Sequence, residues 1–335
     1  MTGVQTCALP ICASFSWSAI VFVGGLTALL LCIKPHFGLA VAAAAATGAL
    51  LRRTWRPLFA PEHLIAGALF AAYAASTFAL YPAYWDDVMP VLRLLYLPMR
   101  APFRFMLHGR MAVTLAFIVV VAAMVVVITK AERRAASPPR LVALAAAAGF
   151  FGAAVIQGKG WPYHFYPAFG LLVIVLVDVS LGAPRLRAFA GGLGALALSA
   201  HFFGLFNGGI DMSVMQAPMR ALKQKPRVNA IVSDFAAAFP AVREVGGSWT
   251  GRAPSAWVAD FAMDLARNPR LDPRTLAALR DAEETYRRQL AADIRAGEPD
   301  ILMVELRPVN FLRWTMSDAE LAALLACYQI GRAHV

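Results

Sequence analysis

Leu141-Val-Ala-Leu-Ala-Ala-Ala-Ala-Gly-Phe-Phe-Gly-Ala-Ala-Val-Ile156 carries no charge over a full apolar run, and Gln157-Gly-Lys-Gly-Trp-Pro-Tyr-His164 follows it at once. A second apolar run, Ala168–Leu181, comes directly after. A membrane-crossing helix needs about 20 apolar residues, with a range of roughly 17–25. The run, loop and run therefore read as two spans joined by a short connector. That connector holds a lysine, a histidine and aromatics around Gly and Pro, more chemistry than a plain joint requires.

Working outward, the same pattern recurs at Trp17–Ile33, Phe37–Leu51, His63–Leu80, Met111–Thr129 and Ala188–Phe206. With Leu141–Ile156 and Ala168–Leu181 these make about seven spans, Phe37–Leu51 being short enough to be a span or a re-entrant piece. Charged residues are 15% of the chain and hydrophobic residues 59%. Soluble domains average about 25% charged, so the expected class is an α-helical polytopic membrane protein. The net charge of +11 does not point to nucleic acid, because many Lys and Arg residues lie in short segments between apolar runs. There they set topology and meet lipid headgroups. Cys7, Cys12, Cys32 and Cys327 have neither metal-ligand spacing nor a disulfide framework. A Gly-rich nucleotide loop, an HExxH helix and a Cys-His cluster are all missing from the sequence.

Both ends look foreign. Met1–Ile11 and Ile330–Val335 each resemble a translated sequencing adapter, so both are excluded from fold reasoning. The expectation is that the natural protein extends past both, and that residues 12–206 form the transmembrane domain and residues 207–329 a soluble α/β domain, truncated at its end. In that second part charges of both signs return. Leu276–Arg295 reads as an amphipathic helix, Asp300–Glu305 as a short buried strand after a Gly-Glu-Pro turn, and Asp318–Cys327 as another helix with Ser317 or Asp318 as its cap.

Positive-inside reasoning orients the spans. Arg52, Arg53 and Arg56, then Lys130, Arg133, Arg134 and Arg140, then Arg185 and Arg187, fall in alternating connectors and are expected in the cytoplasm. The other face then carries Lys34-Pro35-His36, the Tyr81–Arg110 loop, the Gln157–Pro167 loop and everything after Asn207. Arg93, Arg100, Arg104 and Arg110 run against the rule in the second of these, an exception that a phosphate-binding loop would explain.

Lys34, His36, Lys159, Tyr163 and His164 thus share one expected face and form a candidate basic pocket for a phosphate or pyrophosphate carried by a lipid. Lysine acts there as a point charge and histidine as donor or proton carrier. Each half also has a plain reading: a snorkelling lysine at an ordinary turn, and an aromatic interfacial belt. Asp86 and Asp87 can bind a divalent cation, orient a sugar, or act as base toward a hydroxyl; equally they can cap the next helix and pair with Arg93. Pro90–His108 mixes apolar residues with arginines, a pattern that can lie flat in the interface. Asp178 is expected to be solvated or paired and His201 to pack between helices. Glu283 and Glu284, four residues before Arg287 and Arg288, are expected to form ion pairs on a solvated helix face.

The Lys34-Pro35-His36 junction, the Gln157-x-Lys159-Gly160-x-x-Tyr163-His164-x-x-Pro167 loop and a tail with Ser233-Asp-Phe, Phe239-Pro240, Gly246-Gly-Ser-Trp249, Trp257, Asp293 and Pro299-Asp-Ile-Leu-Met-Val304 together resemble bacterial members of the GT-C class of polytopic glycosyltransferases. The resemblance covers roughly Phe15 to Gln329. It implies transfer of a sugar from a polyprenyl-phosphate donor to an envelope glycan or lipid acceptor, with inversion, by a multi-pass protein of the bacterial inner membrane whose C-terminal domain is extracytoplasmic. It implies lipid-phosphate contacts from Lys34, His36, Lys159 and His164. The class usually places its catalytic Asp or Glu in the first outer loop, which is expected to have been lost with the natural N-terminus, so the catalytic base is unknown. A transporter or flippase for lipid-linked saccharides, or a polymerase or ligase of them, would use the same pocket.

Overall fold

The computed structural model describes residues 16–101, 118–119, 137–181, 185–207 and 213–328. They form two compact units: the chain up to Trp85 with Arg100–Asn207, and Asp86–Met99 with the residues after Asn207.

The first unit is helical. Ser16 accepts a hydrogen bond from Ala19 N and caps α1 (Trp17–Ile33). A 3₁₀ turn at Pro35–Phe37 leads into α2 (Gly38–Arg52), and α3 (Pro61–Leu80) follows. Beyond these come α4 (Pro138–Gln157), α5 (Tyr166–Leu181) and α6 (Arg185–Asn207). Helix α1 packs on α3, α2 on α4, α4 on α5, and α5 on α6. Small residues permit the close approaches. A Cβ on Gly149 of α4 would lie 2.5 Å from Ala40 Cα of α2, and one on Gly24 of α1 would lie 2.8 Å from Ile65 Cγ2 of α3. The interior of α4 and α5 is apolar throughout, with Phe169, Leu172 and Leu176 buried between them.

Three apolar helical runs, Pro61–Leu80, Pro138–Gln157 and Tyr163–Leu181, are long and apolar enough to cross a membrane; α1 is apolar but shorter. Exposed Leu64, Leu69 and Phe78 on α3 fit a lipid-facing surface. The third run begins five residues earlier than the sequence reading had it. Pro162 and Pro167 each lie in the first turn of a helical piece, where proline costs no hydrogen bond, so the helical run continues through both. Of the seven expected spans, Met111–Thr129 lies outside the described residues except at Ile118 and Val119. Asp178 pairs with Arg140 at 2.5 Å, joining the end of α5 to the start of α4.

The second unit holds a three-stranded parallel sheet in the order β2-β1-β3, formed by β1 (Arg227–Ile231), β2 (Ser248–Trp249) and β3 (Ile301–Val304). Val228 is level with Trp249 on one side and Ile301 on the other. Parallel neighbours need crossovers. These are supplied by α8 (Phe239–Glu244) between β1 and β2, and by α9 (Trp257–Ala266) and α10 (Pro273–Gly297) between β2 and β3. Helix α7 (Ser213–Leu222) precedes the sheet; α11 (Phe311–Met316) and α12 (Ala319–Leu325) follow it. Asp272 caps α10 through Arg274 N and Thr275 N, and Asp318 caps α12 through Leu321 N. Ile231, Leu290, Ile294, Phe311 and Leu321 form the main core.

The structure adds to two of these expectations. Leu95 is fully buried against Ala262 of α9 and Leu279 of α10, with Val91 and Leu94 packed beside it. Positions 91, 94 and 95 share one helical face. Their apolar stripe packs within the second unit, and residues 102–108 of the expected interfacial stretch lie outside the described residues. Secondly, Glu283 and Arg287 pair at 2.9 Å in a half-buried setting rather than on a solvated face. Trp314 Nε1 donates to Glu283 at 2.7 Å, and the Arg287 guanidinium lies 4.1 Å from the Trp314 ring centroid. Arg288 donates to Thr285 instead of Glu284.

Candidate anion-binding site

Lys34 ends α1 in an extended conformation, and the Pro35–Phe37 turn places His36 beside it. Phe37 is buried edge-to-face on Phe150 of α4, with ring centroids 5.0 Å apart. That contact fastens the turn to the same helix whose end begins the second half of the site. Helix α4 stops at Gly158, whose φ of 66° is a left-handed conformation natural to glycine at a helix C-terminus. Gly160 repeats it at φ 70°. The chain therefore turns on both sides of Lys159, and Gly158 O accepts a hydrogen bond from Ala101 N at 2.7 Å.

Trp161, Tyr163 and His164 then cluster, with centroids 5.7 Å apart for Trp161–Tyr163, 5.4 Å for Trp161–His164 and 4.4 Å for Tyr163–His164. Lys34 Nζ sits 5.0 Å from the Tyr163 centroid and 5.8 Å from that of Phe37, a cation–π arrangement bridging the two halves. Lys34, His36 and Lys159 all lie close enough to His164 to act on its charge.

The structure thus brings together all five basic and aromatic residues singled out from the sequence: Lys34, His36, Lys159, Tyr163 and His164. It adds Trp161, and also Arg100, whose side chain runs beside Gly158 and whose charge acts on Lys159. The arginines that broke the positive-inside rule between Tyr81 and Arg110 were the sequence signal for Arg100.

The electrostatics have one sign. Burial, and then the Arg100 charge, push the Lys159 ammonium down to about 8. Burial lowers Lys34, and burial followed by the Lys34 charge lowers His36. Among the described residues, the charged groups acting on His164 are Lys34, His36 and Lys159. His164 is only 2% exposed. His164 Nδ1 and His36 Nε2 are both buried without a hydrogen-bond partner. Buried polar groups are nearly always paired, and each one left unmade costs about 1–3 kcal/mol. Concentrated positive charge and two orphaned imidazole nitrogens are both relieved by an anion that accepts hydrogen bonds.

Asp86 and Asp87 are the acidic pair singled out from the sequence. They are exposed on the short helical run Tyr84–Val88 and belong to the second unit, whereas the basic residues belong to the first. Among the described residues there is no group of three or more His, Cys, Asp or Glu able to hold a metal ion. Asp86 and Asp87 are two adjacent carboxylates, the number by which a magnesium ion is often held together with water and phosphate. Cys32 and Cys327 are free thiols.

No family model, curated protein or solved structure matches this chain at a significant level.

Proposed function

We propose that the Lys34–His164 pocket binds the phosphate of a lipid-linked saccharide, and that the protein transfers the sugar from a polyprenyl-phosphate donor to an envelope acceptor. The observation that supports this most is the pair of buried, unpartnered imidazole nitrogens set among lysines, with no carboxylate acting on them among the described residues. In transfer, the acceptor oxygen would form a bond to the anomeric carbon as the bond from that carbon to the phosphate oxygen breaks. Charge develops on the departing phosphate. Lys34 and Lys159 would stabilise that charge as point cations, and His36 and His164 would donate hydrogen bonds to it. The acceptor proton goes to a base outside this set. The amphipathic aromatics Trp161 and Tyr163 suit headgroup depth.

On this reading the protein is a multi-pass protein of a bacterial inner membrane, with the pocket and the second unit on the extracytoplasmic side. A flippase or transporter would use the same pocket without breaking a bond, and a polymerase or ligase would transfer a longer glycan. Membranes carrying the protein, supplied with labelled sugar on a polyprenyl-phosphate donor, test the proposal. Donor-dependent transfer abolished by both Lys159→Ala and His164→Ala supports it. Transfer that survives both changes refutes the pocket assignment, and label that crosses the membrane without transfer favours the flippase. A cysteine placed at position 159 that reacts only from the cytoplasm overturns the outer-face assignment.

A further inference from the structure

A second cationic site lies at the other end of α2. That helix runs from the Pro35–Phe37 turn to Arg52, and its 15 residues span about 22 Å at 1.5 Å each. This is short of the roughly 30 Å hydrocarbon core, so long side chains at its end suit reaching outward to headgroups. Arg52, Arg53 and Arg56 are exposed there, with Trp55, Phe59 and Leu50 exposed beside them. Arg52, Thr54, Trp55, Arg56, Pro57 and Phe59 line a cleft of about 550 Å³ that continues to Pro61, where α3 starts without a side-chain cap. None of the three arginines is ion-paired among the described residues.

The backbone points to selection of a side chain. Arg53 closes α2 at φ 50° and ψ 41°, with Thr54 N bonded to Ala49 O at 3.0 Å. Glycine or asparagine is at home in that left-handed position. An arginine there accepts an unfavourable conformation, and its exposed side chain adds a third cation next in sequence to the Arg52 and Arg56 that line the cleft. A planar guanidinium binds phosphate through two parallel N–H groups, and exposed Trp and Phe suit the zone between headgroup and acyl chain.

We propose that the Arg52–Pro61 turn is a headgroup site for an anionic phospholipid, separate from the Lys34–His164 pocket and independent of what that pocket does. The test is native mass spectrometry of the full chain in neutral detergent, with phosphatidylglycerol, phosphatidylcholine or inorganic phosphate added as probes. Phosphatidylglycerol should be retained over phosphatidylcholine. Arg53→Gly should weaken that retention about five-fold, the effect expected for losing one arginine at an anionic surface. Because glycine suits the backbone there, this variant should fold at least as well as the parent. Arg52→Gln with Arg56→Gln should weaken retention further, and Lys159→Ala should leave it unchanged. Parental retention by Arg53→Gly and by the double variant overturns the proposal, as does equal retention of phosphatidylcholine. Loss on Lys159→Ala would move the lipid to the other pocket. Displacement by equimolar inorganic phosphate would make this a free-anion site.

Discussion

Lys159 allows a quantitative test of the anion pocket through pH. Burial and the Arg100 charge hold its ammonium at about 8 when the site is empty. A bound phosphate favours the charged form, so it raises that value. Between the two values binding takes up a proton, and affinity must fall as pH rises. At pH 7 about nine-tenths of the Lys159 side chains carry charge, and at pH 9 about one-tenth do. Where binding requires the charge, affinity should therefore be nearly flat below pH 7.5 and fall towards about ten-fold per pH unit above 8. A phosphate diester probe keeps one charge over this range, so the ligand contributes no inflection. Arginine is charged throughout, so Lys159→Arg should bind with no decline up to pH 9.5. The assay is equilibrium binding of a labelled polyprenyl phosphodiester to the protein in nanodiscs, from pH 6.5 to 9.5. Parental affinity flat to pH 9.5, or an unchanged decline in Lys159→Arg, would refute the role of Lys159.

Leu95→Ala should destabilise the second unit by about 2–5 kcal/mol, because Leu95 is fully buried, whereas Leu97→Ala, more than half exposed, should cost little. Chemical denaturation followed by Trp fluorescence would show the difference; equal costs would return this segment to the interface. Gly149→Leu should cost more than the ~1–3 kcal/mol usual for overpacking, since backbone of α2 lies where the side chain must go, and a thermal shift of the detergent-solubilised protein reads it. Glu283→Ala should destabilise by about 1–3 kcal/mol, leaving Trp314 Nε1 and Arg287 without their acceptor, and Glu283→Gln should recover part of that through its amide oxygen. The near-ultraviolet circular dichroism of Trp314 would track both.

Much of the helical unit was legible because a membrane span is written locally, in consecutive residues. Trp17–Ile33 matches α1 at both ends, and Leu141–Ile156 lies wholly within α4. Asp318 as a cap and the strand after Gly297-Glu-Pro were legible for the same reason: caps and turns depend on neighbours in the chain. Strand β1 was not read at all. Arg227-Val-Asn-Ala-Ile231 is five residues with Asn229 in the middle, and it is a strand because β2 and β3 flank it. The destination of the Val91–Leu95 stripe was equally invisible. A stripe of apolar residues states that it needs cover, and both a lipid surface and Leu279 provide it.

The sequence by itself determined that helices long and apolar enough for a membrane exist here, and that two basic, Pro- and Gly-bent connectors interrupt them. These are properties of composition and spacing over one or two dozen residues. Only the tertiary structure decided that the connectors meet. Phe37 locks onto Phe150, and α4 ends seven residues later at Gln157, so the two loops close on each other across positions more than 120 residues apart. Only the tertiary structure, too, made His36 Nε2 and His164 Nδ1 buried and unpartnered. Burial and loss of hydrogen-bond partners depend on what surrounds a side chain, and that is set by packing between distant segments.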